Sequence, residues 1–293
     1  MGSKVRHSFK SPEKQAKDFA NFLFASQQIP SLGTRRTLQV ALTGLAWFAK
    51  LNKLGDLKSL TKEHALAFLG ERLKVVRQSP LNLDRIACQY VIGEKLTGII
   101  SSKETKLGSR AYTPRQVEII AAAQAPKHAL ATIISYATGL RAKELATLRP
   151  IADQAEDKRD WSKNRFLGRE GVPYSVRGKG GFIHKIMLPK ELSAKLEAVR
   201  LPAPVTSYDR GIKCVSLYAI GHGKNWSNSF SKATKDTGVV RHGAHGLRHT
   251  YAQERMLELR RKPHLLSYDD CLLAVSHELA HLRPEITLTY LRP

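Results

Sequence analysis

Near its C-terminal end the chain gathers histidine, arginine and tyrosine in a pattern suited to one kind of chemistry. His245-Gly-Leu-Arg248-His249-Thr250 sets an imidazole and a guanidinium three residues apart. That spacing brings both to one helix face. Together they can hold one phosphate, the guanidinium through two parallel hydrogen bonds. His281 follows, then Tyr290 nine residues later, with Leu291, Arg292 and Pro293 after it. A phenol beside phosphate-gripping side chains suggests covalent attack on a phosphodiester. Without a metal, that reaction needs cations on the non-bridging oxygens, a proton acceptor for the nucleophile and a proton donor for the departing oxygen. A positive surround would favour the phenolate, since tyrosine ordinarily ionises near pH ~10.

A phosphodiester site needs a grip on the polymer that carries it, and the charge balance supplies one. The 293 residues include 48 Lys and Arg against 25 Asp and Glu, a net charge of +23. The excess is shared along the chain: 18 basic against 8 acidic residues up to residue 108, and 30 against 17 beyond it. Two basic halves suggest a clamp on a long polyanion, duplex DNA above all. The apolar fraction of 42% is that of a folded protein, and the length fits two domains. Cys88, Cys214 and Cys271 are isolated, which argues for a reducing compartment and against a disulfide frame or a cysteine zinc site. No apolar run approaches membrane-spanning length.

The elements that must position the site are mainly helical. Residues 11–100 read as helices, opened by Ser11-Pro12-Glu13, Gly33-Thr34, Thr61-Lys62-Glu63-His64 and Ser79-Pro80. They predict a small helical DNA-binding domain over 1–100. Residues 101–112 are polar and aperiodic, a linker. Thr113-Pro114-Arg115-Gln116 combines an N-cap, a first-turn proline and a capping-box glutamine, and opens a second domain over 113–293. Gly139-Leu140 turns the chain into a short helix over 141–148. Pro173–Arg177 and Phe182–Leu188 read as a hairpin with Lys179 at its tip, the one small antiparallel sheet of this half. Helices resume over 191–199 and 226–236, through His245 and Arg248 to about residue 260, and over 268–277.

Gly139-Leu-Arg141-Ala-Lys-Glu144-Leu, the Gly178-Lys179-Gly180 turn, His245-x-x-Arg248-His249, Ala280-His281 and Tyr290 occur in an order and spacing that resemble the tyrosine recombinase, or phage integrase-like, family. The resemblance spans the second half, and the helical first half looks like that family's core-binding domain. It implies a mainly α fold: a helical core-binding domain and a mostly helical catalytic domain with a small antiparallel sheet. It implies that Arg141 and Arg248 bind the scissile phosphate with a hydrogen bond from His281, that Lys179 protonates the 5′-oxygen leaving group, that His245 relays the tyrosine proton, and that Tyr290 forms a 3′-phosphotyrosine link. Glu144 would orient Arg141 or the histidine. Neither metal nor other cofactor is implied. Arg35, Arg36, Arg177, Lys185 and Arg241 are candidate DNA contacts, and Arg177 and Lys185 replace Lys179 as proton donor if the hairpin register differs. The implied partner is a double-stranded recombination site. The two domains would clamp the duplex in a C shape, as a homotetramer on two such sites with a monomer or dimer per site otherwise, in a cytoplasmic, nucleoid-associated bacterial protein with no membrane contact. Integration and excision of a mobile element, or resolution of multimers, would be the role; DNA relaxation and silent DNA binding are alternatives.

Each feature also has a duller explanation. An Arg–Glu pair at i,i+3 is ordinarily a surface ion pair, a glycine-flanked lysine a solvated loop residue, and a terminal-helix tyrosine part of a core. His249 reads as structural. His277-Glu278-Leu-Ala-His281 matches the zinc-protease pattern, although only Glu285 follows as a carboxylate and +23 stays unexplained. The 33 residues from Arg248 to His281 exceed those of compact relatives, so residues 260–268 read as a basic insertion facing DNA or a neighbouring subunit. Relatives commonly continue beyond the tyrosine with a tail that docks on the adjacent protomer.

Overall fold

The computed structural model describes residues 10–104 and 108–292, with the side chain of Lys179 outside the described part. The chain forms two compact units, Met1–Lys106 and Leu107–Pro293.

The first unit is all helical. Helix α1 (Pro12–Ala25) starts where the Ser11 hydroxyl accepts the Lys14 N–H, and α2 (Leu32–Leu51) where Ser31 caps Thr34. Helix α3 (Lys62–Val75) opens with a reciprocal Thr61–His64 capping box. Ala16, Ala20, Leu23, Leu38, Leu42, Leu45, Phe68 and Leu69 fill the core that these helices enclose with α4 (Gln78–Ile92). The helical reading of residues 11–100 stops at Gly93, left-handed at φ 73°. Beyond it the Gln78 amide takes over as partner for the main chain, donating to Ile99 O at 2.8 Å and accepting from Ser101 N–H at 2.8 Å. The Ser101 hydroxyl donates to Val76 O at 2.6 Å. Residues 101–103 therefore pack on this unit, although their composition reads as free linker.

The second unit begins with Tyr112, buried, its N–H donating to the Thr250 hydroxyl at 2.7 Å. Helix α5 (Pro114–Ala122) has the Thr113–Gln116 capping box. Helix α6 (Pro126–Thr138) ends at Gly139, φ 68°, where an added Cβ would lie 2.6 Å from Leu279 and 3.0 Å from Tyr251. The helix expected over 141–148 is a turn followed by a single 3-10 stretch, Glu144–Thr147, because the Glu144 carboxylate takes the Arg141 N–H at 2.7 Å and closes a local loop. A three-stranded antiparallel sheet follows: β1 (Arg149–Pro150), β2 (Val172–Arg177) and β3 (Ile183–Leu188). Arg177 pairs with Ile183 and Ser175 with Lys185.

One sheet was expected here, but there are two. After α7 (Lys190–Glu197), β4 (Arg200–Asp209) and β5 (Ile212–Tyr218) form a separate ribbon. Pro202 and Pro204 cannot donate to a ladder, and the register jumps across them from Arg200/Tyr218 to Val205/Ser216. Those prolines hid the strand in the sequence. Helices α8 (Gly223–Asp236), α9 (Gly246–Arg260) and α10 (Tyr268–Glu278) complete the unit with a 3-10 stretch, Pro284–Tyr290. No helix among the described residues is long and apolar enough to cross a membrane.

A buried ionic cluster ties α9 and α10 to the chain before β2. Glu278 accepts from Arg255 at 3.1 Å, from the Tyr251 hydroxyl at 2.8 Å and from Phe166 N–H at 2.7 Å. Arg255 also donates to Leu167 O at 2.8 Å. Phe166 has φ 62°, a conformation such anchoring holds in place. The expected insertion at 260–268 is a turn between α9 and α10, and its His264 ring packs against Gly168. Removing one charge from a buried pair strands the other. Glu278→Gln is expected to lower the unfolding free energy of the second unit by about 3 kcal/mol, measured by urea denaturation; an unchanged midpoint would contradict the role given to this cluster.

Candidate active site

Arg248 lies in the first turn of α9, only 1% exposed. The helix starts at Gly246, where an added Cβ would fall 2.5 Å from Arg110 O and from the Tyr112 ring, so the chain before it is pressed close. The guanidinium spans two helix ends: one terminal nitrogen donates to Gly139 O, the cap of α6, at 2.7 Å, and the other to Leu279 O, the cap of α10. Carbonyl-rich helix C-termini favour a cation, which offsets part of the cost of burying one. Burial, then the charge of Arg141, still brings the Arg248 pKa down to about 10. Among the described residues its Nε–H meets no hydrogen-bond acceptor.

Arg141 reaches the same place from the turn after α6. Its Nη1 donates to Glu144 Oε1 at 2.6 Å, and its side chain keeps 31% exposure. Burial opposes ionisation of Glu144, but Arg248, Arg141 and His184 outweigh it and hold the carboxyl below its ordinary value. This is a buried carboxylate aligning a guanidinium, unlike the surface pair that i,i+3 spacing usually signifies.

His281, after α10, stands between the arginines. Its Nε2 is 3.1 Å from Arg141 Nη2 and 3.0 Å from Arg248 Nη2, and its Nδ1 is 3.0 Å from the Thr287 hydroxyl. Guanidinium nitrogens only donate, so Nε2 accepts here and Nδ1 carries the proton. Burial and then the two arginines push the His281 pKa down to about 3, so the ring is neutral near pH ~7. To donate to a phosphate oxygen, as the sequence resemblance implies, the ring must carry a proton on Nε2. The Thr287 hydroxyl, able to donate as well as accept, permits that tautomer.

Tyr290 ends the 3-10 stretch with 8% exposure. Its ring stacks on His281 at 5.3 Å and 20°, meets His245 edge-on at 5.5 Å and His249 at 4.8 Å. The Arg248 guanidinium carbon is 5.6 Å from the ring centre. His245 is the residue before α9, not within it, and its outer edge is exposed. Desolvation by the protein packed around its inner side, then the Arg248 charge, lowers its pKa to about 4. His245 is thus a neutral imidazole, able to accept a proton.

The structure brings together Arg141, Glu144, His245, Arg248, His281 and Tyr290. The Lys179 side chain lies outside the described residues; its backbone forms a 3-10 turn, Lys179–Gly181, between β2 and β3. Of the candidate DNA contacts, Arg177 and Arg241 are exposed, Arg35 donates to Asn21 at 2.5 Å, and Arg36 is half-buried beside it on α2. Lys185 is engaged by Glu156 at 3.7 Å in mid-strand, not at the hairpin tip.

Three residues at the site were not assigned to it from sequence. His249, read as structural, meets the Tyr290 ring at 4.8 Å. Thr287 is fully buried against His281. His184 on β3, 1% exposed, stacks on Phe182 and interacts with Glu144. Only His249 had a visible signal, its i+4 spacing from His245. The zinc-protease pattern dissolves: His277 accepts from Ser162 N–H at 2.9 Å, Glu278 serves Arg255, and His281 faces the arginines. Among the described residues no cluster of three or more His, Cys, Asp or Glu is placed to hold a metal ion.

No protein-family model and no curated protein matches the chain in sequence. Solved structures do match in fold. One is XerH site-specific recombinase bound to palindromic difH substrate in a post-cleavage complex, with TM-score 0.56 at 13% identity over 97% of this chain and 94% of that one. The pre-cleavage complex of XerH with difH gives 0.55 at 15% identity, over 97% and 95%. A lambda integrase tetramer bound to a Holliday junction gives 0.56 at 14% identity, over 98% of this chain and 78% of the other. The chain has the tyrosine recombinase fold. Both arginines and the Tyr290 ring converge on His281 within one subunit.

The buried histidines predict a specific acid response. Burial drives the His184 pKa down to about 4, from 6.5 in the unfolded chain. Between those values the unfolded state binds more protons, so stability is full above pH ~6.5 and falls as pH drops toward ~4. His184→Gln should flatten the fall in melting temperature across that window relative to wild type; identical slopes would contradict a neutral buried His184.

Proposed function

We propose that the chain is a DNA strand transferase acting as a site-specific recombinase, which breaks and rejoins duplex DNA through Tyr290. The observation that carries the reading is the seating of the Tyr290 ring against His281, His245 and His249, beside Arg248, with Arg141 hydrogen-bonded to the same His281. The fold of recombinases whose solved structures contain difH or a Holliday junction supports it.

In this reading the scissile phosphate enters between the Arg141 and Arg248 guanidiniums, and His281 turns its Nε2–H toward a non-bridging oxygen. The Tyr290 oxygen attacks phosphorus; the bond to the 5′-oxygen breaks as the new phosphotyrosine ester forms. The phenolic proton passes to His245, and Lys179 gives one to the 5′-oxygen. Each bond lost is matched by one gained, so attack by another 5′-hydroxyl reverses the step without ATP. Pentacovalent charge is highest in the transition state, where fixed guanidiniums stabilise it most. Glu144 keeps Arg141 aligned. The first unit would be the core DNA-binding domain over 1–100 and the second the catalytic domain over 113–293. Arg35, Arg36, Arg177 and Arg241 would touch DNA, with Lys185 after release from Glu156. Two recombination sites would be held by four protomers, in the service of a mobile element or of multimer resolution.

Nicked duplexes randomised around the nick, incubated with the protein and resolved by denaturing electrophoresis, test the proposal. Wild type is expected to yield a protein–DNA adduct insensitive to chelators, absent in Tyr290→Phe and reduced at least ~100-fold in Arg248→Ala. Binding without adduct would favour a silent DNA-binding protein. Relaxed circles without recombinants from two-site plasmids would favour a relaxing enzyme.

A further inference from the structure

Beside Tyr290, His245 at the N-cap of α9 and His249 and Gln253 within it follow at four-residue intervals along one stripe. The first two meet the tyrosine ring. The third reaches its main chain: Gln253 Nε2 donates to Tyr290 O at 3.0 Å and to Arg292 O at 3.2 Å. The same nitrogen is 3.1 Å from the Ser109 hydroxyl, on the segment that leads into the catalytic unit. A primary amide has two N–H hydrogens, so three acceptors at these distances must share them. Ser109 stands in a well-tied strip: the Ala111 N–H donates to its hydroxyl at 3.2 Å, and Arg110 donates to His242 O at 2.7 Å.

A 3-10 stretch is a weak carrier for a nucleophile, because its hydrogen bonds are poorly aligned and its last carbonyls lack helical partners. The one such bond closing the stretch here is Leu291 N–H to Leu288 O at 3.2 Å. The side-chain amide of Gln253 supplies what the stretch lacks. It fixes the carbonyl of the attacking residue and a carbonyl two residues later against a full-length helix that also carries Arg248. A displacement of the phenol by ~1 Å costs orders of magnitude in rate, so a clasp at this carbonyl acts on the chemistry with no contact to DNA.

We propose that Gln253 is the positioning residue for Tyr290, clasping the nucleophile's main chain to α9 and joining it to the entry segment at Ser109. The proposal rests on Tyr290 being the nucleophile. Its consequence is regulatory as well: movement of the Ser109 segment frees a hydrogen of Gln253 for the two C-terminal carbonyls and tightens the clasp, so the path of the entry segment sets the alignment of the phenol.

The test compares Gln253→Leu, close in volume but unable to donate, with Gln253→Lys, which still donates. In the full-length protein, hydrogen–deuterium exchange over residues 284–292 is expected to rise in the leucine variant alone. Its rate of adduct formation on the nicked duplex pool should fall about tenfold with DNA affinity unchanged, while the lysine variant stays within about threefold. Unchanged exchange, an unchanged adduct rate in Gln253→Leu, or equal losses in both variants would each overturn the clasp. No adduct from wild type would instead remove Tyr290 as nucleophile and the proposal with it, which sets that failure apart from the others.

Discussion

One buried cation governs the second unit. The Arg248 guanidinium lies where two helices end, and it satisfies carbonyls of Gly139 and Leu279 that would otherwise be stranded. A cation so buried is tolerable only with such partners and with the Glu144 carboxylate close by. The same contacts fix the end of α6, from which Arg141 departs, and the end of α10, from which His281 departs. Placing Arg248 thus places Arg141 and His281 as well. The left-handed Gly139 follows from this constraint, because its carbonyl must face Arg248 while Leu279 and Tyr251 occupy the space of a side chain.

The price of the arrangement is two guanidiniums near one another with a single close carboxylate. His281 relieves part of that by offering its lone pair to both, which requires it to be neutral and its proton to sit on the Thr287 side. In the proposed reaction an entering phosphate would replace that lone pair with formal negative charge, so an anion would complete the arrangement. In the proposed reaction a preference for phosphate would arise from where the helices end, beyond the chain-wide charge of +23 that alone attracts any polyanion.

Much of this was legible in the sequence because it depends on short-range rules. Capping at Thr61 and Thr113, the glycine stop after Thr138 and the alternation in Ile183–Leu188 announce their elements locally. The spacing of Arg141, Arg248, His281 and Tyr290 announced a site, though distance between them could not be read from it. What escaped notice depends on partners far along the chain. Gln253 and Thr287 have no motif; they matter through contacts distant in sequence or invisible in it, with carbonyls 37 and 39 residues away or an imidazole six residues back. His184 is an inward residue of an alternating strand, indistinguishable from core until Glu144 is seen beside it. The ribbon of β4 and β5 was hidden by prolines, and Ser101–Lys103 by an amide from Gln78 that composition cannot reveal. Glu278 illustrates the opposite error: a recognisable motif whose carboxylate is consumed by Arg255, Tyr251 and a main-chain N–H.

The claim that an anion completes a seat built from Arg141 and Arg248 is open to direct measurement without knowledge of the target DNA. Thermal unfolding of the intact protein would be followed in inorganic phosphate and in chloride at matched ionic strength, for wild type and Arg141→Ala. The account predicts a saturable gain in melting temperature with phosphate in wild type that is largely lost in Arg141→Ala, the remaining surface charge being common to both. Equal gains in the two proteins would contradict it, since the phosphate would then be held by general positive charge and not by the paired guanidiniums.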